Sequence, residues 1–282
     1  MSASSALSRI RVVDYGVLGT QLVPGSGIVT QAEPPDDFTA FVDPAGLQFI
    51  QRFGPSGAGG ASGSIYEHIG IRDDDAFPDD VREAITEECE AHYHRCATLT
   101  LTLTLTLTLT LTLTLTLTLT RTLTLTRYEA DGGVHHCIHT VGPMLGHGKY
   151  TWAEAVAKLA GAYRNVLSQF VRFAVSKVAA DPAPKGTPVR LRLLPISGGI
   201  FAGEYQRQIA PLTLAALQAG IGLLTEEERS VLAMELQWEE GEEAEGAAQI
   251  ELCVFLAVEL ADFHAAMAEQ MAEQPVASGG GW

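Results

Sequence analysis

Two glycine-rich segments are the places where main-chain groups could do chemistry. Gly54-Pro55-Ser56-Gly57-Ala58-Gly59-Gly60-Ala61-Ser62-Gly63-Ser64 opens into a predicted helix around residues 65–69. Ser197-Gly198-Gly199-Ile200-Phe201-Ala202-Gly203 follows a predicted strand over residues 189–196. A passage from strand to loop to helix turns backbone N–H groups toward an anion, and the helix dipole adds to the attraction. Glycines let a ligand approach the main chain without a Cβ in the way. Neither loop carries Lys or Arg, so phosphate oxygens would depend on amides. The plain alternative is two ordinary surface turns. The common phosphate and nucleophile patterns fail here. A Walker loop needs Lys where Gly60 stands, and a dinucleotide fingerprint from Gly57-Ala58-Gly59 needs glycine where Ser62 stands. A nucleophile elbow fails because Gly60-Ala61-Ser62-Gly63 continues with Ser64.

A second constellation is sulfur- and imidazole-rich. Cys89, His92, His94 and Cys96 precede residues 98–127, and His135, His136, Cys137 and His139 follow them. Thiolate and neutral imidazole are good zinc ligands, and His135, Cys137 and His139 would share one strand face. Neither group has finger spacing, and joining them requires the intervening run to loop out. Read from spacing alone they are core and surface residues, and no metal is expected.

The elements that must position these residues alternate between strands and helices. Residues 10–30 carry Val12, Val13, Val17, Leu18, Leu22, Val23, Ile28 and Val29 broken by glycines, which predicts strands and tight turns. Residues 38–42 form a short strand, and 79–94 read as an acidic helix with Val81, Ile85 and Cys89 spaced by four. Residues 134–141 alternate like a strand. Thr151 predicts an N-cap with Glu154 three positions on, heading a helix to about Val178 that the three prolines of 181–188 end. A helix over 210–219, an acidic solvated stretch over 226–245, a strand over 250–256 and a helix over 259–273 complete the reading. This alternation predicts an α/β layered sheet in a single domain spanning 10–273, followed by a loose tail at 274–282.

Between Cys96 and His135 lies a run of fifteen Thr-Xaa dipeptides, residues 98–127, thirteen of them Thr-Leu. Arg121 and Arg127 keep the phase, which a single base change in a Leu codon explains. The period of two residues is that of a six-nucleotide expansion in the gene. As one strand it would reach roughly 100 Å, too long for the domain, so it must fold back, stay disordered or associate through its leucine face. It is read as an insertion between a helix and a strand.

The chain has 282 residues, 46% of them hydrophobic, 7% aromatic and 18% charged, enough for a core. Thirty-four acidic against 18 basic residues give a net charge of −16. With no basic cluster, tracking along nucleic acid or an anionic membrane is not expected. No run of 18 uncharged apolar residues exists, and residues 1–19 lack the apolar stretch of a secretory signal. The expected setting is intracellular, cytoplasmic or nuclear, with the four cysteines reduced. Nothing in the sequence speaks to oligomeric state.

Three blocks resemble the macro domains, a family that binds ADP-ribose. Gly59-Gly60-Ala61-Ser62-Gly63-Ser64-Ile65, closing at Ile69-Gly70, is similar to the family's first loop. Ile138-His139-Thr140-Val141-Gly142-Pro143 matches its IHTVGP strand, and Pro195-Ile196-Ser197-Gly198-Gly199-Ile200-Phe201-Ala202-Gly203 its second loop. The blocks occur in family order across roughly residues 25–271. The resemblance implies a mixed sheet between helices with the ligand at strand ends. It implies that Gly59, Gly60, Ala61, Ser62, Gly63 and Ile65 contact the diphosphate and distal ribose. Ser197, Gly198, Gly199 and Ile200 would close over the diphosphate, with Phe201 against the ribose.

The departures fall at equally defined places. The adenine-reading Asp of the family would align near Gly27-Ile28, where no carboxylate stands unless Asp36, Asp37 or Asp43 substitutes. The ribose-positioning Asn-Ala-Ala-Asn turn corresponds to Asp43-Pro44-Ala45-Gly46, with Gly46 in place of the second Asn. Ser62 stands where hydrolytic members often carry Asp, and a serine is no base near neutral pH. These readings imply a binding module for ADP-ribose or ADP-ribosylated protein, with ADP-ribose as ligand and no separate cofactor. The alternatives are a hydrolase of ADP-ribosyl or O-acyl-ADP-ribose bonds, and a degenerate scaffold that meets a protein partner through the acidic stretch 226–245.

Overall fold

The computed structural model describes residues 10–97, 134–180, 189–234 and 250–272. The readings of 98–127 as an insertion and 274–282 as a tail lie outside the described residues, as does the acidic stretch beyond residue 234. Among the described residues no single helix is long and apolar enough to cross a membrane.

Among the described residues, eight strands and six α-helices alternate along the chain. They are β1 (Ile10–Val13), β2 (Thr20–Val23), β3 (Gly27–Thr30), β4 (Thr39–Ala45), α1 (Gly60–His68), α2 (Asp79–Ala84) and β5 (Ala91–Ala97). Then follow β6 (Val134–Val141), α3 (Trp152–Ala180), β7 (Arg190–Leu193), α4 (Ile209–Gly222), α5 (Glu226–Met234), β8 (Ile250–Cys253) and α6 (Leu260–Ala272). Six strands form one sheet in the order β1-β8-β7-β4-β6-β5. All its pairings are parallel except the antiparallel pair β5–β6. β2 and β3 make a separate hairpin.

Strand alternation sorts the apolar side chains into two layers. Ala40, Val42, Ile138, Leu191 and Leu252 pack under α3, α4 and α6, against Tyr163, Leu167, Leu217 and Phe263. Phe41, Ala45, Cys137, Val141 and Cys253 face the other way, against Ile65 and Tyr66 of α1, Ile69 just beyond it and Val81 of α2. The result is a three-layer α/β/α fold with a mixed sheet.

Two expectations are corrected. Residues 79–94 are not one helix: α2 ends at Ala84, and β5 begins at Ala91. Val81 and Ile85 are buried as the spacing of four implies. Cys89, however, takes φ 71°, donates its N–H to Val141 O at 2.7 Å, and is followed by Val141 N–H donating to Glu90 O. Pairing with β6 overrides the helical pattern, and the Glu90 carboxylate caps the reversal by accepting from the N–H groups of Thr86 and Glu87. The Thr-Leu run therefore connects two strands of one antiparallel pair, not a helix and a strand. The predicted cap at Thr151 forms: its N–H and hydroxyl each donate to Glu154 Oε2 at 2.8 Å, and these bonds hold the Glu154 carboxyl below its ordinary range.

Candidate ligand-binding site

Because β4, β6 and β7 are parallel neighbours, the loops that follow them leave the same edge of the sheet. In open α/β sheets that carboxyl edge is where ligands are held. Side-chain contacts knit the three loops together. Ser197, at φ 60° after β7, donates its hydroxyl to Pro143 O after β6 at 2.7 Å. A Cβ on Gly142 would collide with the same Ser197 Oγ, so the glycine permits the approach. Leu145 N–H donates to Phe201 O at 2.8 Å.

Phe201 then reaches the loop after β4. A Cβ on Gly46 would lie 3.8 Å from Phe201 Cζ and 3.0 Å from Phe49 Cδ2. Phe49 continues the contact, its Cε1 3.2 Å from the Cβ position of Gly57 on the way to the first glycine loop. Gly46 thus accommodates two aromatic rings where the family resemblance places an Asn, and any side chain there must displace Phe49. Ala45 is fully buried at the end of β4.

The first loop ends at the N-terminus of α1. Gly59 is extended, Gly60 takes φ 58°, and no side chain caps the helix. Nothing lies within 4 Å of a Cβ built on Gly59 or Gly60, and Ala61 is exposed. The first intrahelical acceptor serves Gly63, so the N–H groups of Gly60, Ala61 and Ser62 have no acceptor within the helix. Arg72, which the sequence reading overlooked, fixes this segment: its Nη1 donates to Pro55 O at 3.2 Å and to Ala58 O. Gly63 is buried beside Ala58 O and the Arg72 guanidinium, and Ile65 is fully buried in the core. In the second loop, Gly199 is open to its surroundings and Ile200 is 93% exposed, while Gly198 packs against Pro195.

Beside Phe201 lies a cavity of about 650 Å³ whose walls include Gln48, Arg52, Phe53, Glu88 and Gly142. Arg52 supplies a positive charge that neither glycine loop carries. The cavity's walls come from the segments after β4, α2, β6 and β7 and do not include residues 59–65. Gly27 and Ile28 do not line it. They belong to the β2–β3 hairpin, where Gly27 borders a smaller recess of about 300 Å³ with Leu22 and Leu256.

Each of the three candidate replacement carboxylates already has partners within the chain. Asp36 accepts from Phe38 N–H and the Thr39 hydroxyl. Asp37 binds His136 at 2.7 Å and Lys177. Asp43 is completely buried, accepting from Tyr66 Oη at 2.8 Å and from His139 Nδ1 at 2.7 Å. Burial, then the adjoining Asp43 charge, pushes the Tyr66 phenol up, while the Ser62 hydroxyl beside it pulls the other way. Ser62 is itself buried and directed to this internal network. Among the described side chains no three His, Cys, Asp or Glu groups come close enough to hold a metal.

Comparison with protein family models and with curated protein sequences finds no match to this chain.

Proposed function

We propose that the chain is a binding module for a nucleotide diphosphate of the ADP-ribose type, free or attached to protein. The observation that carries this reading is the approach of Phe201 to Gly46. It joins the loop after β7 to the loop after β4, two parallel neighbours, across one cleft at the carboxyl edge. Uncapped amides of α1 and the open Gly199 segment supply donors for a diphosphate. Phe201 offers a ring to the distal ribose, and Arg52 offers a charge-assisted contact in the adjoining cavity. Exposed Phe53 and Met144 on the wall of that cavity, with exposed Ile200 next to Phe201 in the chain, favour a ligand carried on a protein, because apolar rims suit macromolecular partners.

Binding is favoured over hydrolysis. Gly46 has no side chain to orient a ribose, and Ser62 is engaged with Tyr66 rather than backed by a base. Calorimetry with ADP-ribose, ADP and AMP tests the reading: heat with ADP-ribose supports it, and no heat with any of the three sinks it. Gly199→Glu, which places a negative side chain in the diphosphate path, should abolish the signal without altering thermal stability.

A further inference from the structure

Two cavities meet beside the reversal that joins α2 to β5. The first, of about 650 Å³, begins at Phe201 and Arg52, and the second, of about 550 Å³, reaches Ala157, Lys158 and Gly161 on α3. Leu47, Thr86 and Glu88 belong to the walls of both, so the two form one trench that leads from the cleft to α3. The reversal between them is held from several sides. Gln51 Nε2 donates to Arg82 O at 2.8 Å and to Ile85 O, Cys89 N–H donates to Val141 O, and Asn165 Nδ2 of α3 donates to Cys89 O at 2.8 Å. Glu90 is consumed in capping this turn, but its acidic neighbours are not. Among the described residues neither the Glu87 nor the Glu88 carboxylate takes part in a hydrogen bond or an ion pair. Burial pushes the Cys89 thiol up, the Lys158 charge opposes this, and the Glu88 and Glu87 charges reinforce it, so the three side chains surround one spot in the trench.

Gly161 lies on the α3 wall of the trench. A glycine inside a helix is destabilising relative to alanine. Among the described residues nothing lies within 4 Å of a Cβ built on Gly161, so no packing there requires the glycine. An incoming chain can bring its backbone close where no Cβ projects. We propose that the trench docks an extended polypeptide segment bearing lysine or arginine, its cationic side chain on Glu87 and Glu88 and its backbone passing Gly161. On the nucleotide-binding function, on which this assignment rests, the segment is the part of the modified protein that continues from the nucleotide. Charge argues for this occupant. Arg52 at the Phe201 end suits an anion, and the two carboxylates further along suit a cation, which a bare nucleotide diphosphate does not supply. An acidic segment would meet like charges, and a second copy of this chain, at net charge −16, would be repelled.

The test is fluorescence anisotropy on the full chain at low ionic strength, with a dye-labelled peptide of alternating glycine and lysine and its glycine–glutamate counterpart. The lysine peptide should bind and be released by salt, and the glutamate peptide should not bind. Glu87→Gln/Glu88→Gln should weaken the lysine peptide about tenfold, the loss expected of two exposed ion pairs. Glu226→Gln/Glu227→Gln on α5 removes the same charge elsewhere and should leave binding unchanged. Gly161→Leu should abolish binding while the midpoint of thermal unfolding stays level or rises, since leucine favours a helix. Equal losses in the two double variants, or full affinity in Gly161→Leu, would overturn the assignment. The peptide carries no nucleotide, so the two readings fail separately. Peptide binding without heat from ADP-ribose keeps the trench and sinks the nucleotide; heat from ADP-ribose without peptide binding does the reverse.

Discussion

Phe49 Cδ2 lies 3.0 Å from where a Cβ would stand on Gly46, close enough that the ring must give by a few tenths of an ångström to admit a side chain. Gly46→Asn, which restores the residue type of the resembling family, must push Phe49 from its place against Gly57. Overpacking of this kind costs about 1–3 kcal/mol. Urea denaturation should show that loss in Gly46→Asn and recover most of it in Gly46→Asn/Phe49→Leu. An undiminished midpoint in the single variant would mean that Phe49 does not occupy the turn.

Across β7 and β8, Arg192 Nε donates to Glu251 Oε2 at 3.0 Å, with both side chains buried. The same guanidinium donates to Glu33 O at 2.9 Å and lies over the Tyr15 ring, tying the loops before and after the hairpin to the sheet. Burial, with the Glu251 charge close by, pushes the Tyr15 phenol up to about 12. Arg192→Leu strands a buried carboxylate and should cost roughly 3–5 kcal/mol, whereas Arg192→Leu/Glu251→Leu should be far less damaging. Equal losses in the two, measured by chemical denaturation, would show that packing and not charge governs this site.

Asp37 provides a pH dependence of defined sign. Partial desolvation raises its carboxyl, but hydrogen bonds from Lys177 and His136 outweigh it, and the net pKa is lowered. A carboxyl depressed in the folded state stabilises above its ordinary pKa and loses that contribution as pH falls through the depressed value. The stability difference between wild type and Asp37→Asn should therefore be constant near neutrality and shrink below about pH 4. Denaturation midpoints collected between neutral and acid pH would show a gap that closes; a gap that widens on acidification would refute the assignment.

What was legible in the sequence was local. The Thr151–Glu154 cap spans three residues and makes its bonds within them, so its pattern is complete on the page. The apolar strands and their order with helices were legible for the same reason, as period and composition are short-range properties. The break after α2 was not, because Cys89 adopts a left-handed backbone only when Val141, 52 positions later, accepts its N–H. Asp43 read as a spare carboxylate until Tyr66 and His139 enclosed it, partners 23 and 96 positions away. Arg72 and Arg52 carry no motif at all. Their roles arise from where the turns after β4 place carbonyls and walls.

β5 stands at one edge of the described sheet, where its strand partner is β6. Along the chain, the Thr-Leu tract lies between these two paired strands. The entropy of closing a connection grows only with the logarithm of its length, about 0.6 kcal/mol for each doubling. Gene copies differing by several hexanucleotide units would then encode domains with the same interior, and natural selection would have little purchase on the number of units.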